Sequence, residues 1–336
     1  MTLEIIEANG LATTQDAGRI GWKKFGVPSS GPMDAFAFRA ANALVGNAPH
    51  HAAIEIGLGD IAFRALSDCV IAVAGAGFDL SVYIWDFPLW GSYYVRAGWT
   101  IRLAKLDSGM WAYLALVGGV QTQGRLGSAS TNLRARFGGL DGRRLQVGDV
   151  LKADKSSRAS SELAARTLPA SARPLYSDSP VIDVIMGPQE KYFTAESTAT
   201  FMSQEYMVNP TSDRMGYRLE GAALAHRNKT ELISEGMTMG AIQVPANGQP
   251  IVMMADSPTT GGYPKIGTVA SADLPLLAQC IPNKSTIRFR ETTVEKARKK
   301  YRELLAGLER LNLRSAPSSA QSVNDNAAGD GGWSSG

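Results

Sequence analysis

Short β-like runs, each closed by a turn, leave this chain few folds to choose from. LEIIEAN, CVIAVAG, LSVYIWDF, YYVRAGWTIRLAKL, MWAYLALVGG and LQVGDVLKA succeed one another in the first half, rich in Val, Ile, Tyr and Trp and often alternating at period two. VIDVIMGP, YMVNP, AIQVP, PIVMMAD and TIRFRE continue the style in the second half. The runs do not alternate with helical patterns, which argues against a doubly wound parallel sheet. Thirty-five glycines in 336 residues supply the turns. The expected fold is mainly β with a few helices: a β-barrel or sandwich in each half, plus a C-terminal helix.

Composition marks the boundaries. From Lys155 to Pro174 the chain turns to Ser, Ala, Arg and Pro without apolar periodicity. Residues 155–177 are therefore expected to link a domain over 1–154 to a second over 178–291. A helix over 292–313 follows, opened by the capping-box pair Thr292 and Glu295, with Ala297, Tyr301, Leu304, Leu308 and Leu311 on its apolar stripe. Residues 314–336 read as a disordered tail. An earlier short helix, AFAFRAANALVGN, aligns Phe36, Ala40 and Leu44, with Asp34 as its N-cap and Gly46 as its stop. It begins directly after GVPSSGPMD, whose glycines and prolines suit neither strand nor helix. Only a loop whose shape matters needs so many of them.

Absences narrow the function. The segment from Val294 to Arg314 carries seven Lys or Arg and three Glu, so it alone exceeds the chain's net charge of +3. The basic balance thus belongs to one helix, not to a groove that would bind nucleic acid. No apolar run approaches the roughly 20 residues of a membrane helix, and MTLEIIEANG is no signal pattern; the cytoplasm is the expected location. Cys69 and Cys280 are the only cysteines and read as buried thiols; no structural metal site is expected. The chain has three histidines, His50, His51 and His226, and lacks a phosphate loop, a G-x-S-x-G elbow and an H-E-x-x-H helix. It also lacks a lysine between two methionines, the usual biotin attachment site. Any chemistry falls to Arg, Lys, Asp, Glu, Gln, Ser and backbone amides, a set suited to carboxylates, carbonyls, phosphates and other oxyanions.

Four loop-borne segments concentrate such residues. QDAGRIGWKKFGVPSSGPMD brings Gln15, Asp16, Arg19, Ser30 and Asp34; RLGSASTNLRARFGGLDG brings Ser128 and Ser130; SDRMGYRLEG brings Arg214. SEGMTMGAIQVPANGQPIVMMADSPTTGGYPKIG brings Glu235, Gln243, Asp256, Thr260, Gly261, Gly262, Tyr263 and Lys265. Each loop alone could be an ordinary hairpin connection, Arg214 beside Asp213 a loop salt bridge, and Asp34 only a cap.

Together these segments, in this order, resemble the biotin-dependent carboxyltransferase-like family, the group of the 5-oxoprolinase C subunit, allophanate hydrolase subunit 2 and the antagonist of a sporulation-kinase inhibitor. The likeness spans roughly Leu3 to Arg290. It implies two cyclophilin-like β-barrel domains and a hetero-oligomer with a B-type partner protein. The implied activity is ATP-dependent opening of 5-oxoproline to glutamate, alongside A-type and B-type partners, with ATP held mainly by one of them. A second implied activity is carboxyl transfer to a urea-like acceptor from carboxybiotin on a separate carrier; a third role is non-catalytic regulation of a B-type protein. Carried onto this chain, the implied catalytic residues are Arg19, Asp34, Arg214, Glu235, Tyr263 and Lys265. The resemblance likewise implies that Gln15, Asp16, Ser30, Ser128, Ser130, Gln243, Asp256, Thr260, Gly261 and Gly262 bind substrate. Two positions depart from the family pattern: Ala129 stands where an Arg is usual, and Pro258 where a Gln is common. On this reading Arg19, Arg214 and Lys265 bind anionic groups. Asp34, Asp256, Glu235 or Tyr263 moves protons, and an anion sits near the start of the helix after Asp34.

Overall fold

In the computed structural model, residues 1–154, 160–227 and 232–313 are described; the expected tail over 314–336 lies outside them. Strands between residues 2 and 152 form two sheets. A six-stranded sheet runs Val150–Lys152, Thr2–Ala8, Ile61–Ala65, Thr100–Lys105, Phe78–Val82, Trp85–Phe87. A five-stranded sheet runs Leu11–Gln15, Ala53–Gly57, Trp111–Leu116, Cys69–Gly75, Gly91–Val95. The three inner strands of the second sheet are buried throughout, which is why they read as unbroken apolar runs. In Trp111–Leu116, Ala112, Leu114 and Leu116 share a core with Leu3, Phe63 and Leu103 of the six-stranded sheet. Trp111, Tyr113 and Ala115, on the other face, join a core that contains Phe36 and Phe38 and continues into the second half.

That second half closes a seven-stranded barrel in the order Val181–Met186, Lys265–Val269, Ala241–Gln243, Ile251–Met253, Gly216–Glu220, Glu205–Val208, Thr286–Glu291. The mainly β expectation thus holds, with closure in the second half and paired sheets in the first. Both cysteines are free and buried, and burial pushes their thiols up to about 12. Among the described residues no helix is long and apolar enough to cross a membrane.

The helix Ala35–Leu44 forms where its apolar stripe placed it. The Asp34 carboxylate accepts the Ala37 N–H at 2.9 Å, and Gly46 takes the left-handed φ of +69° just past its end. Two expectations need correction. The stretch expected as a linker is packed where it is described: Thr167 bridges Gly91, and Leu163 and Leu168 are buried. Gly91–Val95 is an edge strand, and this segment covers its open polar groups. The C-terminal helix, Val294–Leu313, is capped by Thr293 and not Thr292, since the Thr293 hydroxyl accepts the Lys296 N–H at 3.4 Å. This helix lies on the body. Lys300 reaches Asp183 and Asp273 at 2.6 Å each, and Arg39 donates to the Tyr301 hydroxyl at 3.2 Å.

Candidate functional site

The first two loop segments interlock around Asp16. Its carboxylate accepts the hydroxyls of Ser128 and Ser130 at 2.6 Å each, the Ala129 N–H at 2.6 Å and the Gly18 N–H at 2.9 Å. Gln15 donates to the Thr131 carbonyl at 3.1 Å, while its side-chain Oε1 is buried without a partner among the described residues. Arg19, completely buried, donates from Nε to the Arg125 carbonyl and from Nη2 to the Ser130 carbonyl, and lies 4.4 Å over the Phe137 ring. Among the described residues its Nη1 has no partner. Burial pulls this guanidinium below its ordinary value, and Asp16 and Asp256 pull it back up. Gly138 is required here: at a φ of +75°, any Cβ would collide with the Ser130 carbonyl and with Arg19 Nη2.

Arg214 clamps the two halves together. It donates from Nε to Asp256 at 2.8 Å, from Nη1 to Glu55, and from Nη2 to the Gly31 carbonyl at 2.8 Å and to Asp256 at 3.2 Å. Burial would push the guanidinium down, but Glu55 and Asp256 hold it well above its ordinary range. Glu55 also accepts the Met33 N–H and the Tyr113 hydroxyl, each at 2.8 Å, and Tyr113 accepts the Asp34 N–H at 2.8 Å. Asn132 ties the clamp to the first cluster, donating to Ser30 at 3.1 Å and to Asp256 at 3.4 Å. Ser30 is held at a φ of +54°, rare for a residue with a Cβ.

Asp34 is buried completely. Besides capping its helix, it accepts Tyr176 at 2.6 Å and Gln279 at 2.8 Å. Burial pushes its carboxyl above the ordinary range, and these hydrogen bonds oppose the shift. Asp34 therefore occupies the helix start itself. The protein's own carboxylate thus meets the Ala37 N–H, and that amide is not open to the anion expected near this helix start.

The remaining residues gather at the barrel mouth. Lys265 pairs with Glu235 at 2.7 Å, and Gln189 bonds both the Glu235 carboxylate and the Lys265 N–H. The Lys265 and Gln189 hydrogen bonds hold Glu235 below its ordinary range. Strand Thr260–Gly261 pairs with Glu235–Gly236, and Gln243 donates to the Tyr263 carbonyl at 3.2 Å. Gly261 lies so close that a Cβ would come 2.5 Å from Gln243 Nε2, and Gly262 accepts the Leu232 N–H at 2.7 Å. Lys23, from the first segment, reaches the Met237 carbonyl at 2.9 Å.

The structure thus sorts the expected residues. Gln15, Asp16, Arg19, Ser30, Ser128, Ser130, Arg214 and Asp256 meet in one buried network that also anchors Asp34; Gln243 is buried at the mouth. Glu235, Thr260 and Tyr263 are exposed, and Lys265 partly so. Arg214 makes no pair with Asp213, whose carboxylate accepts the Met215 and Gly216 N–H groups. Every nitrogen of the Arg214 guanidinium, Nε, Nη1 and Nη2, has a protein partner. Sequence reasoning missed Glu55, Tyr113, Asn132, Tyr176, Gln189 and Gln279. A signal existed for Glu55, the one carboxylate in the apolar run AAIEIGLG.

This pairing of a closed barrel with a paired-sheet unit recurs in a urea carboxylase. The crystal structure of the Kluyveromyces lactis urea carboxylase superposes with a TM-score of 0.87 at 28% identity, over 94% of this chain and 29% of that one. Residues 25–291 match the family described as carboxyltransferase domain, subdomain A and B, and the chain belongs to that family. It is 38% identical over 306 residues to the C subunit of the Haemophilus influenzae 5-oxoprolinase, spanning 90% of this chain and 94% of that protein. The C subunit of the Escherichia coli 5-oxoprolinase is 37% identical over 315 residues, spanning 93% and 98%.

Proposed function

We propose that this chain is the C-type subunit of an ATP-dependent 5-oxoprolinase, acting inside the cell with A-type and B-type partners. The observation that carries the reading is the near end-to-end correspondence, in both directions, with two 5-oxoprolinase C subunits. Ring opening breaks the lactam C–N bond; the hydroxyl of water goes to the acyl carbon and protons go to the nitrogen. Negative charge builds on the lactam oxygen and needs a fixed donor. The accessible groups for this work are Lys265, Tyr263, Thr260 and Glu235. The substrate's carboxylate replaces Glu235 as the partner of Lys265, and the buried network holds the surrounding loops in place.

The residues present do not fit a nucleoside triphosphate: Arg214 is engaged by two buried carboxylates, and Lys265 alone is left to meet three phosphates. Among the described residues, no group of three or more His, Cys, Asp or Glu is placed to hold a metal ion. The ATP step therefore belongs to the partner proteins in this reading. The urea carboxylase likeness favours a second reading, carboxyl transfer from carboxybiotin on a separate carrier.

The test is purification with the A-type and B-type partners and an assay of glutamate released from 5-oxoproline with ATP. Lys265→Ala in that complex should lower kcat/KM at least 100-fold, about 2.7 kcal/mol. Activity within threefold of the parent removes Lys265 from the site. An assembled complex that forms no glutamate defeats the oxoprolinase reading, and carboxylation of urea in the presence of a biotin carboxylase and carrier would establish the second.

A further inference from the structure

A cavity of about 620 Å³ opens between the two halves on the far side of the Ser212–Arg214 segment. Arg214 is the one residue of the buried network in its lining, and nothing from residues 235–265 enters it, so it is distinct from the barrel mouth. We propose that this cavity is a second small-molecule site, for a flat apolar compound carrying one anionic group. The volume falls within the roughly 300–1,000 Å³ of small-molecule sites, which combine apolar walls with a few placed polar groups.

Leu58, Met110 and Trp111 from the paired sheets face Pro210, Tyr217 and Ile281 from the barrel half. Two ammonium groups, Lys105 and Lys284, stand in the lining. Lys105 donates to the carbonyls of Leu106 and Gly109, and no carboxylate lies in ion-pair range of it among the described residues. Lys284 donates to the Asp107 carbonyl and pairs with Asp178 at 3.2 Å. Of the two acids in the lining, Asp213 turns its carboxylate to backbone N–H groups, and Asp107 stands beside the lysines. Burial lowers the ordinary value of Lys105, opposed by Asp107 and reinforced by Lys284, as expected of a cation set partly into the protein.

The cavity floor also touches the loop anchor. The N–H groups of Met110 and Trp111 donate to Gln279 Oε1 at 2.8 and 2.9 Å, and Gln279 Nε2 holds Asp34. Gln279 itself is not in the lining, so the backbone of Met110 and Trp111 stands between a ligand and the residue that holds Asp34.

The probe is 8-anilinonaphthalene-1-sulfonate, titrated into the full chain by fluorescence at fixed salt. One-to-one binding is expected, weakened at least tenfold by Leu58→Glu and about fivefold by Lys105→Gln, and unchanged by Lys265→Ala. Leu58 is 56% exposed, so its replacement leaves the core intact. The uncharged N-phenyl-1-naphthylamine should bind at least fivefold more weakly than the sulfonate. The proposal is overturned by absence of stoichiometric binding, by binding indifferent to both cavity variants, by loss of binding in Lys265→Ala, or by equal affinity for the uncharged dye.

Discussion

Replacing Arg214 by methionine keeps an apolar stem and deletes the guanidinium that joins Glu55, Asp256 and the Gly31 carbonyl. The change strands two carboxylates, Glu55 at 1% exposure and Asp256 at 7%. Removing one partner of a buried ion pair costs roughly 3–5 kcal/mol, mostly because the opposite charge stays buried. Glu55 retains Tyr113 and the Met33 N–H, which favours the lower end, about 3 kcal/mol. For a chain of this size, 1 kcal/mol is worth about 2 °C, so the unfolding midpoint should fall by about 6 °C. The assay is thermal unfolding followed by tryptophan fluorescence. A second variant isolates the cause: Glu55→Gln added to Arg214→Met should recover a third or more of the loss, since it removes one stranded charge. A single-variant shift below about 2 °C, or strictly additive losses in the double variant, would refute the claim that the Arg214–Glu55 pair holds the halves together.

Three further outcomes are expected. Gly138→Ala should cost more than about 2 kcal/mol, because the new methyl meets the Ser130 carbonyl at a left-handed φ; a midpoint within 2 °C of the parent contradicts this. Lys300→Met should loosen the C-terminal helix by about 1–2 kcal/mol, less than for a fully buried pair because the Lys300 side chain is 40% exposed; hydrogen exchange should rise in residues 294–313 before it rises in the barrel. Asp149 is held below its ordinary range, first by its hydrogen bond to Arg143, so its contribution is present above the unfolded-state pKa and lost as pH falls through the folded one. Asp149→Asn should therefore lower stability most at pH 7, and the loss should shrink as the pH falls through the acid range; an equal loss at pH 7 and at pH 3 would exclude the linkage.

Local rules were enough for local features. Asp34 caps its helix because Asp favours that position, and Gly46 ends it because glycine tolerates a positive φ. Features that depend on the packing of distant segments were not legible. Tyr113 lies within MWAYLALVGG, where every residue of the strand is buried and no periodicity shows which face meets Glu55. Tyr176 falls in a stretch whose Ser and Pro content reads as a linker, although its hydroxyl closes the shell around Asp34. Arg214, Asp34 and Lys265 share segments rich in chemistry, yet the first two are buried in the scaffold and only the third opens outward. Composition reports which side chains can bind an anion, and burial decides which of them are already engaged by the protein's own.

Asp34 answers to three separate stretches of chain: its own helix, the Tyr176 segment and the turn after Leu274–Ala278 that carries Gln279. Severing the polypeptide between the paired sheets and the barrel would take Tyr176 and Gln279 from this acid and Arg214 from Glu55, and would leave Arg214 with Asp256 as its one carboxylate partner. Neither fragment is suited to independent expression. The two architectural pieces must be made and inherited as one unit.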